Sequence, residues 1–366
     1  MDFTLTDEQV MLRDGARRFL AEQCSTERVR EVMESEAGYD HRLWEAMAEQ
    51  GWQAMHIPEA YGGAGFTFAE TAILLHEMGR VLAPVPHLSS SVLACEALLA
   101  GGSEEQKARW LPGIASGGLI ATFAVAEPGR GWDELSVQAG ADEGSGGSSL
   151  TGTKSFVTAG HYADLIIVAA RGADGVGLYA VEAGSVQAQR LVALDSTRSL
   201  ATIDLASSPA ARLDGADWET VERIYDVART AIAVEQVGGL ERVLEMSVEY
   251  AKERKQFGRP IGSFQAIKHM CAEMLVALES ARSAAGYAVW ALSTGSDELA
   301  VAAPMAKAFC SEAFFKAAGD SIQIHGGIGF TWEHDAHLYF KRAKSTELLL
   351  GAPSVQRREL AGRVGL

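Results

Sequence analysis

YAKERKQFGRPIGSFQAI, residues 250–267, and QIHGGIGF, residues 323–330, decide the fold of this chain. The first joins a cation, Arg254, to two amides, Gln256 and Gln265, across a turn marked by Gly258 and Pro260. The second places Gln323 just before Gly326 and Gly327, where backbone can approach an anion closely. A guanidinium presents a planar fork that matches phosphate oxygens, so Arg254 is the foremost ligand candidate. His325 lies inside the second motif, where one histidine beside glycines is expected to pack or cap rather than catalyse.

Outward from these motifs the pattern is helical. Ile267, Met270, Cys271, Met274 and Leu278 recur at the spacing of one buried helix face. Helices of about thirty residues are expected at 218–252 and 264–293, and such lengths suit a bundle. Residues 1–116 also read as helical. Thr6 and Gln9 form a capping box, a second helix fits His41–Gln50, and a third fits Thr67–Leu82, stopped by Ala83 and Pro84. The glycine-rich loop Ile57–Gly65 by itself marks only a turn. Between 117 and 215, short β-branched runs (Leu165–Val168, Thr202–Leu205) alternate with Gly, Ser and Asp clusters, densest at Asp142–Ser149. The expectation is therefore mixed α and β. An N-terminal helical domain (1–116) precedes a small antiparallel β-barrel or sandwich (117–215) and a C-terminal four-helix bundle (216–366).

Composition narrows the function. With 366 residues the chain holds two or three cores, and its net charge of -16 argues against nucleic acid or an anionic membrane surface as a partner. An anionic cofactor remains compatible, because a few local arginines suffice. Four scattered cysteines (Cys24, Cys95, Cys271, Cys310) have no metal or redox spacing and read as buried thiols, so no metal is expected. The acidic amino terminus is unlike a signal peptide, and the apolar runs fall far short of the ~20 residues that span a bilayer. A cytoplasmic protein is expected.

The two opening motifs resemble the flavin-binding signatures of the acyl-CoA dehydrogenase family, and the resemblance extends over essentially the whole chain. It implies that Arg254, Gln256, Phe257, Gln265, Gln323, Gly326 and Gly327 hold the pyrophosphate and adenine end of a neighbouring subunit's FAD. The family rests the flavin ring on the β domain, through a Thr-Glu-Pro-Gly-x-Gly-Ser-Asp segment. Residues 126–133 keep its Glu-Pro-Gly-x-Gly-x-Asp frame, but Ala126 replaces the flavin-bonding hydroxyl and Trp132 replaces a small serine near the acyl-CoA. In the segment Lys154–Thr158, Phe156 stands where an aromatic packs on the flavin, and Thr158 can donate to it. Asp226 and Arg229 match positions that contact the pantetheine arm, though their spacing also fits a helix ion pair.

The decisive feature is a missing base. Dehydrogenating an acyl thioester needs a carboxylate in a dry pocket to take the α-proton. The family supplies it at one of two positions, which here are Leu350 and Ala228. Glu235, Glu333 and Glu347 are weak substitutes, each expected to be solvated or ion-paired, and Glu235 lies about 10.5 Å along the helix from Ala228. The resemblance therefore implies a subunit that helps dehydrogenate an acyl-CoA thioester as the shorter, base-lacking partner of a homologous chain. Some actinobacterial steroid side-chain dehydrogenases resemble this heteromeric arrangement. The expected assembly is a heterotetramer passing electrons to an electron-transfer flavoprotein. The alternatives are a homotetramer with a relocated carboxylate, and a CoA-ester-binding or scaffold protein without turnover.

Overall fold

The computed structural model describes residues 4–144 and 147–366. Met1–Phe3 of the acidic amino terminus, and Ser145 and Gly146 of the turn cluster, lie outside the described residues. Six helices come first: α1 (Asp7–Gln23), α2 (Thr26–Glu34), α3 (His41–Glu49), α4 (Phe68–Val81), α5 (Cys95–Gly101) and α6 (Glu104–Ala115). The capping box at Thr6 and Gln9 is formed, satisfying two backbone donors that α1 would otherwise leave bare. A π-helical segment, Leu88–Ala94, runs directly into α5.

Seven strands follow: β1 (Ala121–Ala124), β2 (Gly140–Gly144), β3 (Gly147–Thr158), β4 (Leu165–Gly172), β5 (Gly175–Glu182), β6 (Gln187–Arg190) and β7 (Leu200–Arg212). Pairing runs β4-β2-β3-β7-β5 and back to β4, so the sheet closes on itself as a barrel, with β1 and β6 attached outside the ring. The expected all-antiparallel pattern is corrected in two places, since β1 pairs with β4 in parallel and β2 meets β4 through a parallel bridge. The cluster Asp142–Ser149, expected as turns, contributes paired residues to the β2–β3 hairpin, with Asp142 opposite Ser149. Leu150, Ile166, Val168, Tyr179, Val181 and Ile203 meet in the barrel core. A bulge between Lys154 and Val157 sets Phe156 in the left-handed region, at φ 55°.

The rest is helical: α7 (Trp218–Glu253), α8 (Gln265–Ser293), α9 (Leu299–His325), α10 (Ala336–Leu348) and α11 (Pro353–Arg363). Two two-residue strands, β8 (Lys255–Gln256) and β9 (Arg259–Pro260), lie between α7 and α8. Contacts divide the residues into two units that interleave along the chain. One holds Met1–Arg30, Ala72–Ala83 and Arg229–Leu366, the other Glu31–Thr71 and Pro84–Ala228. In the first unit α4 crosses α7 almost backbone to backbone. A side chain on Gly79 would meet the Glu235 carbonyl at 2.2 Å, and one on Gly238 the His76 carbonyl at 2.0 Å. Helix α8 buries only the stripe Met274, Leu278, Ala281, Ala285, Ala288 and Ala291, leaving Leu275 and Val276 exposed. Among the described residues, no helix is long and apolar enough to cross a membrane.

That crossing carries a charge network. The Glu241 carboxylate accepts from Arg80 at 2.6 Å and Arg17 at 3.3 Å, and lies 3.2 Å from His76 Nε2 and 2.8 Å from Arg282. Burial opposes its ionisation, but the His76 bond and the Arg80 and Arg17 charges win and hold it well below the usual carboxylate range. Burial likewise opposes a charge on His76, yet its bonds to Glu241 and Glu77 raise its pKa. Glu241 therefore stabilises the fold above about pH 4.5, and that contribution is lost as pH falls through its lowered folded value. His76 contributes below about pH 6.5, and loses its contribution as pH rises through its raised value. The urea midpoint of the wild type is expected to peak between these limits. In Glu241→Gln the acid limb flattens; an unchanged acid limb would mean the network contributes nothing.

Candidate active site

The pieces of the first motif are assembled at one end of the helical unit. Helix α7 ends at Glu253, and the Arg254 N–H still donates to the Tyr250 carbonyl at 2.8 Å. The chain then reverses between Gln256 and Arg259, with Phe257 at φ 53° and Gly258 at φ 78°. Two consecutive left-handed residues make a type I′ turn, which explains the glycine. Ile261 N–H closes the reversal on the Arg254 carbonyl at 2.7 Å, and α8 begins at Gln265. Helices α8 and α9 form a hairpin, so the start of α8 and the end of α9 share one end of it. Tyr250 packs against His325 with ring centroids 4.5 Å apart and planes tilted by 32°, and Ser247 donates to Ser321 at 3.0 Å. These contacts bring the QIHGGIGF loop beside the end of α7. His325 packs as expected, with Nδ1 on the Ser321 carbonyl at 2.7 Å. Gly326, at φ 63°, ends α9 and turns the chain.

Arg254, Gln256, Phe257, Gln265, Gln323 and Gly327 are all exposed, Phe257 at 91%. A guanidinium, amides and a glycine turn held open to solvent fit the diphosphate end of a dinucleotide lying outside this chain.

The second unit carries the segments 126–133 and Lys154–Thr158. Ser155 N–H donates to the Ala126 carbonyl at 2.8 Å, joining the 126–133 segment to β3. Beneath that link the Glu127 carboxylate accepts from Lys154 Nζ at 2.7 Å, from Ala139 N–H at 2.8 Å and from Gln138 N–H at 2.9 Å. Lys154 is 0% exposed and also donates to the Val125 carbonyl at 3.0 Å. Burial pushes its pKa down to about 8, against the pull of Glu127. The preserved Glu-Pro-Gly frame thus has a structural role, independent of any ligand. Ala126 and Thr158 are buried, Phe156 is 51% exposed, and Trp132 packs edge-on to Tyr225 at 6.3 Å.

Both base positions are buried and apolar, Ala228 in the second unit and Leu350 in the first. Leu350 has φ 63°, an uncommon conformation for a branched residue. Its turn is held by Gln356, whose Nε2 donates to the Leu350 carbonyl at 2.6 Å and whose Oε1 accepts from Arg229 Nε at 2.8 Å. The backbone device is in place without the acid. Nor do the substitutes offer one. Glu235 is buried against Arg342 at 2.7 Å, Glu347 pairs with Lys344 at 2.7 Å, and Glu333 is exposed. Arg342 Nη1 donates to Glu235 Oε1, so this carboxylate is tied into a buried ion pair. Asp226 is buried in the second unit and Arg229 in the first.

Sequence reasoning missed Lys307, fully buried in α9, where Nζ donates to Ser311 at 3.0 Å and to the Glu347 carbonyl at 3.1 Å. Burial pushes its pKa down to about 7. It braces the segment leading to Leu350 from below.

Residues 6–118 match the family model described as acyl-CoA dehydrogenase, N-terminal domain, and residues 217–365 match acyl-CoA dehydrogenase, C-terminal domain. The chain is 36% identical over 361 residues to the acyl-CoA dehydrogenase IpdE2 of Mycolicibacterium smegmatis, covering 98% of this chain and 100% of that protein. Among solved structures it is similar to the ChsE4-ChsE5 complex from Mycobacterium tuberculosis. There the identity is 31% and the TM-score 0.93, over 100% of this chain and 99% of the other. It is also similar to a variant of the Tcur3481-Tcur3483 steroid ACAD, at 32% identity and TM-score 0.91, over 99% of each chain.

Proposed function

The chain belongs to the acyl-CoA dehydrogenase family, and we propose that it serves there as the base-lacking partner of a homologous chain. Together they would carry out FAD-dependent α,β-dehydrogenation of an acyl-CoA thioester. One observation carries this reading: Leu350 and Ala228 fill both base positions with buried hydrocarbon, and Glu235 is locked on Arg342. The likeness to the ChsE4-ChsE5 complex supports a two-chain enzyme. The likeness to a steroid ACAD supports an acyl group of steroid origin. The exposed stripe of α8 beside Leu275 and Val276 supports burial against another chain. An electron-transfer flavoprotein is the acceptor in this scheme.

When bound, FAD supplies the acceptor for the β-hydride. Arg254, Gln256, Gln265 and Gln323, with the backbone at Gly326 and Gly327, would hold its diphosphate and adenine end from outside the partner. Phe156 and Thr158 would face this chain's own flavin-ring position. Asp226 and Arg229 would contact a pantetheine arm. The segment 126–133 positions nothing that removes a proton.

Arg254→Ala should strip flavin from the complex without unfolding either chain. Losing a charge-assisted phosphate contact costs about 1.5–3 kcal/mol, or roughly ten- to more than a hundredfold in affinity. Flavin absorbance per protein is measured for the chain co-expressed with a homologous acyl-CoA dehydrogenase chain. If Arg254→Ala keeps full flavin while Phe156→Ala loses it, the chain holds its own cofactor and the assignment is reversed.

A further inference from the structure

Away from the motifs, the second unit buries a polar cluster on the π-helical segment Leu88–Ala94. Three consecutive serines lie inside it, all buried. Ser89 donates to the Pro86 carbonyl at 3.0 Å, and Ser90 accepts from Ala121 N–H at 3.0 Å. Among the described residues Ser91 Oγ has no hydrogen-bond partner, although a helical serine can ordinarily donate to the carbonyl four residues back. One turn earlier His87 is 1% exposed, and neither Nδ1 nor Nε2 is paired among the described residues. His56 uses Nδ1 on Thr71 Oγ1 at 2.9 Å and turns Nε2 towards Glu96 at 3.5 Å, without a hydrogen bond. A buried donor or acceptor left unpaired is costly, and native interiors rarely keep several together. π-Helical turns often mark functional sites, where the irregular register re-aims side chains.

The position is informative. Ser90 ties this segment to β1, the strand that leads into the 126–133 segment. On the other side Glu96 feels the charge of Arg223, one turn before Asp226 on α7. The chemistry selects the ligand. Burial pushes His56 down to about 4 and His87 down to about 3, so both rings are neutral near pH 7. Burial pushes Glu96 up to about 7. The one cation acting here, Arg223, already faces Glu96, and a plain hydrocarbon would leave every unpaired atom unpaired. A neutral oxygen suits them, since each imidazole offers one donor and one acceptor and Ser91 offers both.

We propose that His87 and Ser91, backed by His56 and Glu96, form a binding site for an uncharged oxygen, a ketone or hydroxyl, borne on the acyl group of a thioester. This deepens the acyl-thioester reading above but does not depend on which chain supplies the base, since a chain without one can still hold an acyl group. Calorimetric titration of the full chain compares octanoyl-CoA with the analogue whose penultimate carbon is a ketone. The wild type should bind the keto ester about tenfold more tightly, the size of one well-made hydrogen bond. His87→Leu should abolish that preference, leave octanoyl-CoA binding unchanged and raise the melting temperature, because an apolar side chain replaces an unpaired polar one. Ser91→Ala should weaken the preference and serves should His87→Leu fail to fold. Equal affinity for both esters in the wild type, or a preference that survives both substitutions, overturns the proposal. Failure here with intact loss of flavin in Arg254→Ala would leave the partner-subunit reading standing.

Discussion

Purified without a homologous partner and supplied with FAD, the chain should turn over acyl-CoA thioesters roughly 10²–10⁴-fold more slowly than a family enzyme with a positioned carboxylate. The backbone at Leu350 already has the left-handed turn, braced by Gln356 and, below it, by Lys307, so at this turn the missing part is the acid. Leu350→Glu would restore the acid to this turn. It should still give no fast enzyme, because Ala126 offers no hydroxyl and Trp132 is packed against Tyr225. Single-turnover bleaching of flavin absorbance by octanoyl-CoA checks both statements. Rapid bleaching by the wild type, abolished in Glu235→Gln with the fold intact by circular dichroism, would reinstate a relocated base. Rapid bleaching by Leu350→Glu would show that the acyl and flavin segments are sound.

How much of this was legible depends on where each interaction lies along the chain. The helices expected at 218–252 and 264–293 match Trp218–Glu253 and Gln265–Ser293, because local punctuation at Gly258 and Pro260 ends the first and begins the second. Barrel closure was not legible, since ring pairs such as Leu150 with Ser208 join residues far apart, and local runs of Val and Ile do not name their neighbours. Gly and Ser in 142–149 read as turns, yet on an exposed hairpin the ladder hydrogen bonds need no apolar side chains. At the site, Arg254 and the paired glycines were readable as strings. The fate of Glu235 was not. Helix α7 is buried all round from Ile224 to Leu240, so the usual contrast between wet and dry faces disappears there. A glutamate in that stretch must be paired, and its partner, Arg342, is more than a hundred residues away. Lys154 and Lys307 were hidden for the same reason: a lysine in a sequence reads as surface charge until the fold buries it.

The Lys154–Glu127 pair allows the strongest test of what holds the 126–133 segment in place. Glu127→Gln leaves the Lys154 ammonium fully buried and without its Glu127 counter-charge, with the Val125 carbonyl and a neutral amide to receive it. Breaking a buried pair in this way costs about 3–5 kcal/mol, because the stranded charge has lost water without regaining Coulomb energy. Lys154→Met strands Glu127 instead, but two backbone N–H donors, from Gln138 and Ala139, remain on that carboxylate. Its cost should therefore be the smaller of the two. The double variant removes both charges and should recover much of the loss, since a hydrophobic pair of similar volume often matches a buried ion pair. Urea unfolding of the four chains measures the cycle. If Glu127→Gln cost less than about 1 kcal/mol, a value typical of an exposed pair, the carboxylate would not be the fastening of this segment. The intact Glu-Pro-Gly frame would then have to be explained by a ligand, which would count against a site that has lost its chemistry.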